Sequence, residues 1–431
     1  MEQTVPKRSL GQRITVVLLI VFLVSPAAAL AAAWFRVGVN LVRDRYEGIE
    51  FREIVSALAD RDVRRLKSIC VNDNYEFRCD LVKASKGIGG WKYALVDYYG
   101  LVQRIAGKNF VPGASFNTGV YRLDNGYLTT LFPVQENVPE LAGRFLELDR
   151  FLKERGIDLL YVQAPGKVCK ENPRLPRGAP ADGSNLNADR FLELIEGGGA
   201  DTLDLRAELH RTGMDHYSSF FRTDHHWTAE TGFWGFRTIA GLLCSRYRFE
   251  IDPAVTDPAN YEFRVYPEMF LGAWGKRTGS LYTTLDNITA IKPRFETSLT
   301  STLANGQEVT ESLEDVLLVK FFLGRMNRHL VDPYRYYTGG DRPFRVIDNH
   351  MAPNSRKVFL VHDSFARTVI PFLALCCERL VTADLRKSAD FSLAEAIERE
   401  KPDIVVFLYC PFSLTDKVMD DFAGGTFRFG F

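Results

Sequence analysis

The sequence predicts an α/β fold with a mostly parallel sheet flanked by helices, and three observations carry that prediction. Residues 159–162, 358–361 and 404–408 are short apolar runs without alternation, the pattern of strands buried on both faces. Each adjoins a segment of helical spacing: ELAGRFLELDRFLKERG before the first, FARTVIPFLALCCERL after the second and LAEAIEREKP before the third. With 46% hydrophobic and 12% aromatic residues in a 431-residue chain, there is enough apolar surface for a large core.

The elements follow in order. Lys7, Arg8 and Arg13 precede an uncharged run over 14–35, which as a helix would be roughly 33 Å long against a hydrocarbon core of ~30 Å. That reads as a signal anchor. The competing reading is a cleaved signal peptide, with a shorter apolar stretch over 14–24 and A-x-A sites in SPAAALAAA. Arg36, Arg43 and Arg45 balance the basic residues before the run, so charge does not orient it. Either reading exports residues 36–431, as a single-pass membrane protein with its main domain on the extracytoplasmic side or as a secreted one.

Residues 36–105 read as a helical membrane-proximal segment. Phe51, Ile54, Val55, Leu58, Val63, Leu66 and Ile69 keep a 3–4 spacing, and Trp91, Ala94, Leu95, Tyr98, Tyr99, Val102 and Ile105 repeat it. The main domain spans 106–431. It opens with LDNGYLTT, whose Asn-Gly pair between apolar residues signals a hairpin. The helix ELAGRFLELDRFLKERG closes at Gly156, and the strand after it ends in APGK. Residues 250–345 break the helix–strand rhythm and predict a loop-rich or β insertion over the sheet's edge.

Charge and cysteine content narrow the classes. Lys+Arg and Asp+Glu both number 54, so no basic field favours a nucleic-acid partner. Of seven cysteines, Cys70 and Cys79 suit a disulfide in an oxidising compartment, whereas Cys169, Cys244, Cys376, Cys377 and Cys410 sit in apolar contexts that predict buried thiols. No C-x-x-C pair occurs, which argues against a structural zinc site.

The chemistry concentrates at two places. His210, His216, His225 and His226 are four of only seven histidines, and the last two stand in Thr223-Asp224-His225-His226-Trp227-Thr228, ahead of a helix from Ala229. The second place is VFLVHDSFARTVIPF, where an apolar strand runs through His362-Asp363-Ser364 into a helix. That puts Ser364 at the carboxyl end of a strand, with the new helix's N–H groups as candidate oxyanion donors. Asp363 or Ser364 acting only as a helix cap is the plainer alternative. A serine needs a base and the base an orienting group, and Asp224-x-His226 supplies that pairing.

TDHHWT, followed by HDSF about 140 residues later and DIVVFLY near the end, resembles the DHHW proteins and their relatives, the alginate O-acetylation proteins with an SGNH-hydrolase-like domain. LDNGYL, APGK and LGAWGKRTGSLY add to the resemblance, which covers roughly residues 105–431. It implies an SGNH-like fold with permuted motif order, Ser364 as nucleophile, His226 as general base and Asp224 as its orienting residue. The relatives carry Gly where His362 stands, and Gly tolerates backbone angles that His does not.

His225 is the alternative base to His226, which the Asp-x-His spacing of the relatives favours; with His226 acting, His225 reads as a neighbouring or substrate-facing residue, and Trp227 reads as a packed anchor or a ligand platform. Lys276 and Arg277, between glycines, are candidate oxyanion or substrate contacts, as is Arg367 unless it sits in a salt bridge. His210 and His216 read as surface or helix-end residues.

The expected function is O-acetylation of an exported polysaccharide, with acetyl relayed by a membrane-bound O-acyltransferase as the resemblance implies, and with no cofactor or metal. An acetyl esterase would use the same residues. A metal-dependent hydrolase built on Asp224, His225 and His226, and a non-catalytic polysaccharide-binding scaffold, are the other classes.

Overall fold

The computed structural model describes residues 93–112, 119–323, 328–387, 390–415 and 425–430. The chain divides into two units, Met1–Tyr99 and Gly100–Phe431. The expected anchor at 14–35, the first helical periodicity and the Cys70/Cys79 pair lie outside the described residues. Among the described residues no helix is long and apolar enough to cross a membrane. Residues 93–105 are helical, as the second periodicity predicts.

Three short strands open the second unit: β1 (Phe110–Val111), β2 (Val120–Arg122) and β3 (Leu128–Thr129). β2 and β3 pair antiparallel across LDNGY, and Gly126 turns the chain at φ +84°, a conformation costly for any residue with a Cβ. Then come helix α1 (Val138–Lys153), β4 (Asp158–Gln163), α2 (Ser184–Gly197), β5 (Asp201–Asp204), α3 (Leu205–Arg211) and the long α4 (Ala229–Tyr247). The remainder supplies β6 (Tyr261–Phe270), α5 (Ala273–Thr278), β7 (Asp286–Pro293), β8 (Leu299–Leu303), β9 (Glu308–Glu311), β10 (Phe344–Asn349), β11 (Lys357–His362), β12 (Arg379–Ala383), α6 (Leu393–Glu400) and β13 (Ile404–Tyr409).

The main sheet has eight strands in the order β5-β4-β13-β11-β12-β10-β8-β9. It is mixed: β5 through β12 run parallel, while β10, β8 and β9 continue it antiparallel. The expected mostly parallel sheet is therefore only its first five positions. The segment expected to cover the sheet's edge instead lengthens it through β8 and β9, and only β6 and β7 stand apart as a separate ribbon.

The predicted strands carry apolar residues at every position because both faces are covered. Leu159, Tyr161, Phe359, Val361, Val405 and Phe407 pack with α1, α2 and α6. Leu160, Val162, Val358, Leu360, Val406 and Leu408 point the other way and pack with Phe233, Phe236, Ile239 and Leu243 of α4. The apolar stripe of α4 starts at a cap, where Thr228 Oγ1 accepts from Thr231 N at 3.2 Å.

After β11 the long helix expected from FARTVIPFLALCCERL does not form. The chain makes a 3₁₀ turn at Ser364–Thr368 and one short helix at Ile370–Leu373, and by Arg379 it is already strand β12. Thr368, Val369 and Ile370 are β-branched and Pro371 lacks an N–H, so the segment is poorly suited to helix propagation. Cys169, Cys376, Cys377 and Cys410 are buried as expected, but Cys244 lies on the outer face of α4 and is exposed.

Candidate active site

The Asp–His turn and the serine segment, 138 residues apart, meet at the carboxyl ends of β11 and β13. Ser364 Oγ lies 2.7 Å from His226 Nε2, and His226 Nδ1 lies 2.5 Å from Asp224 Oδ1. Asp224 is held from several sides. The backbone N–H of His226 reaches Oδ1 at 3.1 Å, and that of Ala273, at the start of α5, reaches Oδ2 at 2.6 Å. Burial favours protonation of Asp224, but the two imidazoles beside it and the Ala273 amide hold it well below the usual carboxylate range.

Two further residues fix this turn. Thr223 Oγ1 donates to Asp286 Oδ2 at 2.6 Å and accepts from Gly272 N at 2.8 Å, tying the turn to β7 and α5. Lys167, the last residue of APGK, is fully buried and donates to the carbonyls of Leu128, at 2.7 Å, and of Asp224. Burial pushes its ammonium down to about 7. Gly272 makes the approach of α5 possible: a Cβ there would stand 2.3 Å from Asp224 Cβ.

Trp227 is a packed anchor and not a ligand platform. It is fully buried, and its Nε1–H donates to Phe365 O and Thr368 Oγ1, both at 3.0 Å. The indole thus joins the base turn to the serine segment. On the other face of His226, Tyr334 stacks at 4.4 Å with an interplanar angle of 26°. Nothing local in the sequence marks Tyr334, which arrives from a loop more than 100 residues away.

At the serine end, Asp363 is the cap and Ser364 faces the cavity. Asp363 Oδ1 accepts from Phe365 N at 2.9 Å, and Oδ2 accepts from Cys410 N at 2.7 Å and Ser413 Oγ at 2.8 Å. The Phe365 amide, and the Ala366 amide bonded to Asp363 O at 3.2 Å, are therefore already engaged, which removes two of the expected oxyanion donors. His362 keeps φ negative and is buried, with Nδ1 2.8 Å from Asp363 O. This corner does not need the glycine of the relatives.

A cavity of about 410 Å³ opens over Ser364 and His226, lined also by Phe132, Trp274, Cys410 and Phe412. His225 lines it too. Its Nδ1 is 3.3 Å from Asp224 Oδ1 but is not aligned for a hydrogen bond, so the carboxylate serves His226. Arg277 reaches the cavity with its guanidinium 5.0 Å over the Trp274 ring. Lys276 borders it as well, but its Nζ donates to Val331 O at 2.7 Å. Both stand on a helix, α5, with glycines at 275 and 279. Arg367 forms a buried two-point pair with Asp341, at 2.6 and 2.7 Å, which makes it part of the cavity wall.

Residues 129–262 match the family model described as SGNH hydrolase-like domain, acetyltransferase AlgX. That stretch holds the Asp–His turn. Over that stretch the chain resembles an SGNH-hydrolase-like domain. Solved structures agree on this fold. PatB1 of Bacillus cereus superposes with a TM-score of 0.58 at 20% identity, over 70% of this chain and 99% of that one. The same protein with a sulfonyl adduct gives 0.57 at 19%, covering 70% and 96%. A DHHW family protein from Eubacterium siraeum gives 0.52 at 17%, covering 72% and 97%. No curated protein matches the sequence significantly. The model matched over residues 129–262 describes an acetyltransferase's SGNH hydrolase-like domain, and the resemblance read from TDHHWT is borne out.

Proposed function

We propose that the protein is an O-acetyltransferase that modifies an exported cell-surface polysaccharide through an acyl-serine intermediate. The observation that carries this reading is the chain Asp224 Oδ1, His226, Ser364 Oγ, with contacts of 2.5 and 2.7 Å at the mouth of the cavity. His226 takes the Ser364 proton as Oγ attacks an acetyl donor, then returns it to the leaving oxygen. The same ring then takes the proton of a sugar hydroxyl as that oxygen attacks the acetyl-serine; the Oγ–acyl bond breaks, the proton passes to Ser364 Oγ, and the sugar leaves with the acetyl group. Asp224 holds the ring in the tautomer that leaves Nε2 free to accept. Arg277, which lines the cavity with its guanidinium over the Trp274 ring, is the candidate contact for the developing oxyanion or a sugar oxygen.

Membrane anchoring through 14–35, with the domain on the extracytoplasmic side, and an acetyl supply from a membrane-bound O-acyltransferase belong to this reading. Water resolving the same intermediate would make the protein an esterase. The Asp224–His225–His226 group offers ligand atoms within 4.8 Å of one another. A metal there would have to displace the His226 contacts to Asp224 and Ser364.

The test is acetyl-ester turnover with and without a polysaccharide acceptor. Ser364→Ala should lower it by roughly 10⁴-fold or more. A sulfonyl fluoride, chosen because PatB1 is known with a sulfonyl adduct, should label the wild type and not Ser364→Ala. Turnover unchanged in Ser364→Ala would sink the acyl-serine; product only as free acetate, at any acceptor concentration, would make the enzyme an esterase.

A further inference from the structure

On the far side of Lys167 from the cavity, three side chains from separate segments converge. Cys169 lies in the loop after β4, His210 in the last turn of α3 and His216 just beyond it, with potential ligand atoms all within 4.8 Å of one another. His216 Nε2 is 3.0 Å from Lys167 O, a group that can only accept, so Nε2 carries the proton and Nδ1 presents a lone pair. That lone pair faces His210 Nε2 at 3.3 Å. His210 Nδ1, in turn, is 3.4 Å from a Glu171 carboxylate oxygen.

One proton on His210 cannot satisfy both of its contacts. On Nε2 it leaves the Nδ1 lone pair against the carboxylate; on Nδ1 it leaves two bare nitrogens facing each other. A cation between the rings resolves this. Two nitrogens on one tetrahedral zinc, each ~2.0–2.1 Å from the metal, stand about 3.3–3.4 Å apart, the separation seen here. Each ring would then donate its other N–H to an oxygen, His216 to the Lys167 carbonyl and His210 to Glu171, the usual second partners of metal-bound histidines. Cys169, buried against Leu123 and Tyr217, donates its thiol proton to the same Glu171 carboxylate at 3.4 Å and would give up that proton to serve the metal as a soft thiolate.

We propose that Cys169, His210 and His216 form a binding site for a divalent transition metal of zinc-like preference, oriented by Glu171 and the Lys167 carbonyl. The fourth position opens to a cleft of about 100 Å³ that both histidines line, where water completes the shell. The site needs no C-x-x-C pair, because its donors come from three segments brought together by the fold. It lies outside the Ser364 cavity and does not depend on the acyl-serine reading.

The experiment uses the full chain stripped with a chelator and titrated with Zn²⁺ or Co²⁺ alone. One equivalent of Zn²⁺ should bind and raise the melting temperature, and Co²⁺ should give a thiolate charge-transfer band that Cys169→Ser abolishes. His210→Ala removes an exposed side chain and should fold normally. It should weaken Zn²⁺ uptake at least about 100-fold, since loss of even an outer partner costs roughly 10–100-fold. No uptake by the wild type, uptake unchanged in His210→Ala, or uptake lost in His226→Ala but kept in His210→Ala would each overturn the proposal.

Discussion

Asp224 uses both carboxylate oxygens: Oδ1 accepts the His226 ring and backbone N–H groups, and Oδ2 accepts the Ala273 amide. An asparagine cannot reproduce that set. Turned one way, its NH₂ meets the Ala273 N–H; turned the other, it meets His226 and forces the wrong tautomer. Asp224→Asn should therefore lower kcat/KM by about 10³–10⁴-fold with the fold intact by circular dichroism. Lys167→Met keeps the unbranched stem, one atom shorter, but leaves the carbonyls of Leu128 and Asp224 without their donor. It should destabilise the protein by about 1–3 kcal/mol in urea unfolding. Asp224, His226 and Ser364 were legible because a polar Asp-x-His turn and a serine at a strand end are local patterns. Lys167 and Tyr334 were not. Each takes its meaning from partners far along the chain, and APGK by itself says nothing of a buried ammonium.

Among the elements, α5 shows how a secondary structure can place a side chain. Gly272 precedes it with φ −71°, which any residue adopts, so the glycine is required by space and not by backbone angle. Gly272→Ala would put a methyl group 2.7 Å from Asp224 Oδ2. The carboxylate must yield, and kcat/KM should fall by about tenfold or more, since small displacements of oriented groups carry large rate penalties. A wild-type rate for this variant would show that α5 does not position Asp224. Buried strands and amphipathic α1 were readable from periodicity because both report burial directly. The segment after Ser364 was misread because its apolar content suits a helix, while its β-branched residues and Pro371 favour a tight turn. The insertion was misplaced for a different reason: β8 and β9 alternate weakly, and only the pairing of β8 with β10, and of β9 with β8, makes them part of the sheet.

For the whole molecule, the buried Arg367–Asp341 pair sets a dependence on pH. Burial favours the neutral acid, but Arg367 and Arg386 hold Asp341 well below the ordinary carboxylate range. Its folded pKa is lower than its unfolded one, so the stability it contributes is complete above the ordinary carboxylate pKa of about 3.9 and is lost as pH falls below it. Asp341→Asn leaves the buried Arg367 guanidinium without its close carboxylate, Asp332 standing farther off at 3.5 Å, and should cost about 3–5 kcal/mol at pH 7. In parallel urea titrations the gap between variant and wild type should narrow by pH 3; a constant gap would mean that Asp341 does not titrate with folding. The order of the sheet has one more consequence. β13 lies between β4 and β11, yet it comes after both in the chain. A polypeptide emerging from its N-terminus therefore carries two open strand edges until residues 404–409 arrive. The Cys410 amide that grips Asp363 beside Ser364 arrives with that strand, so the serine corner is not fully braced until these residues join the sheet.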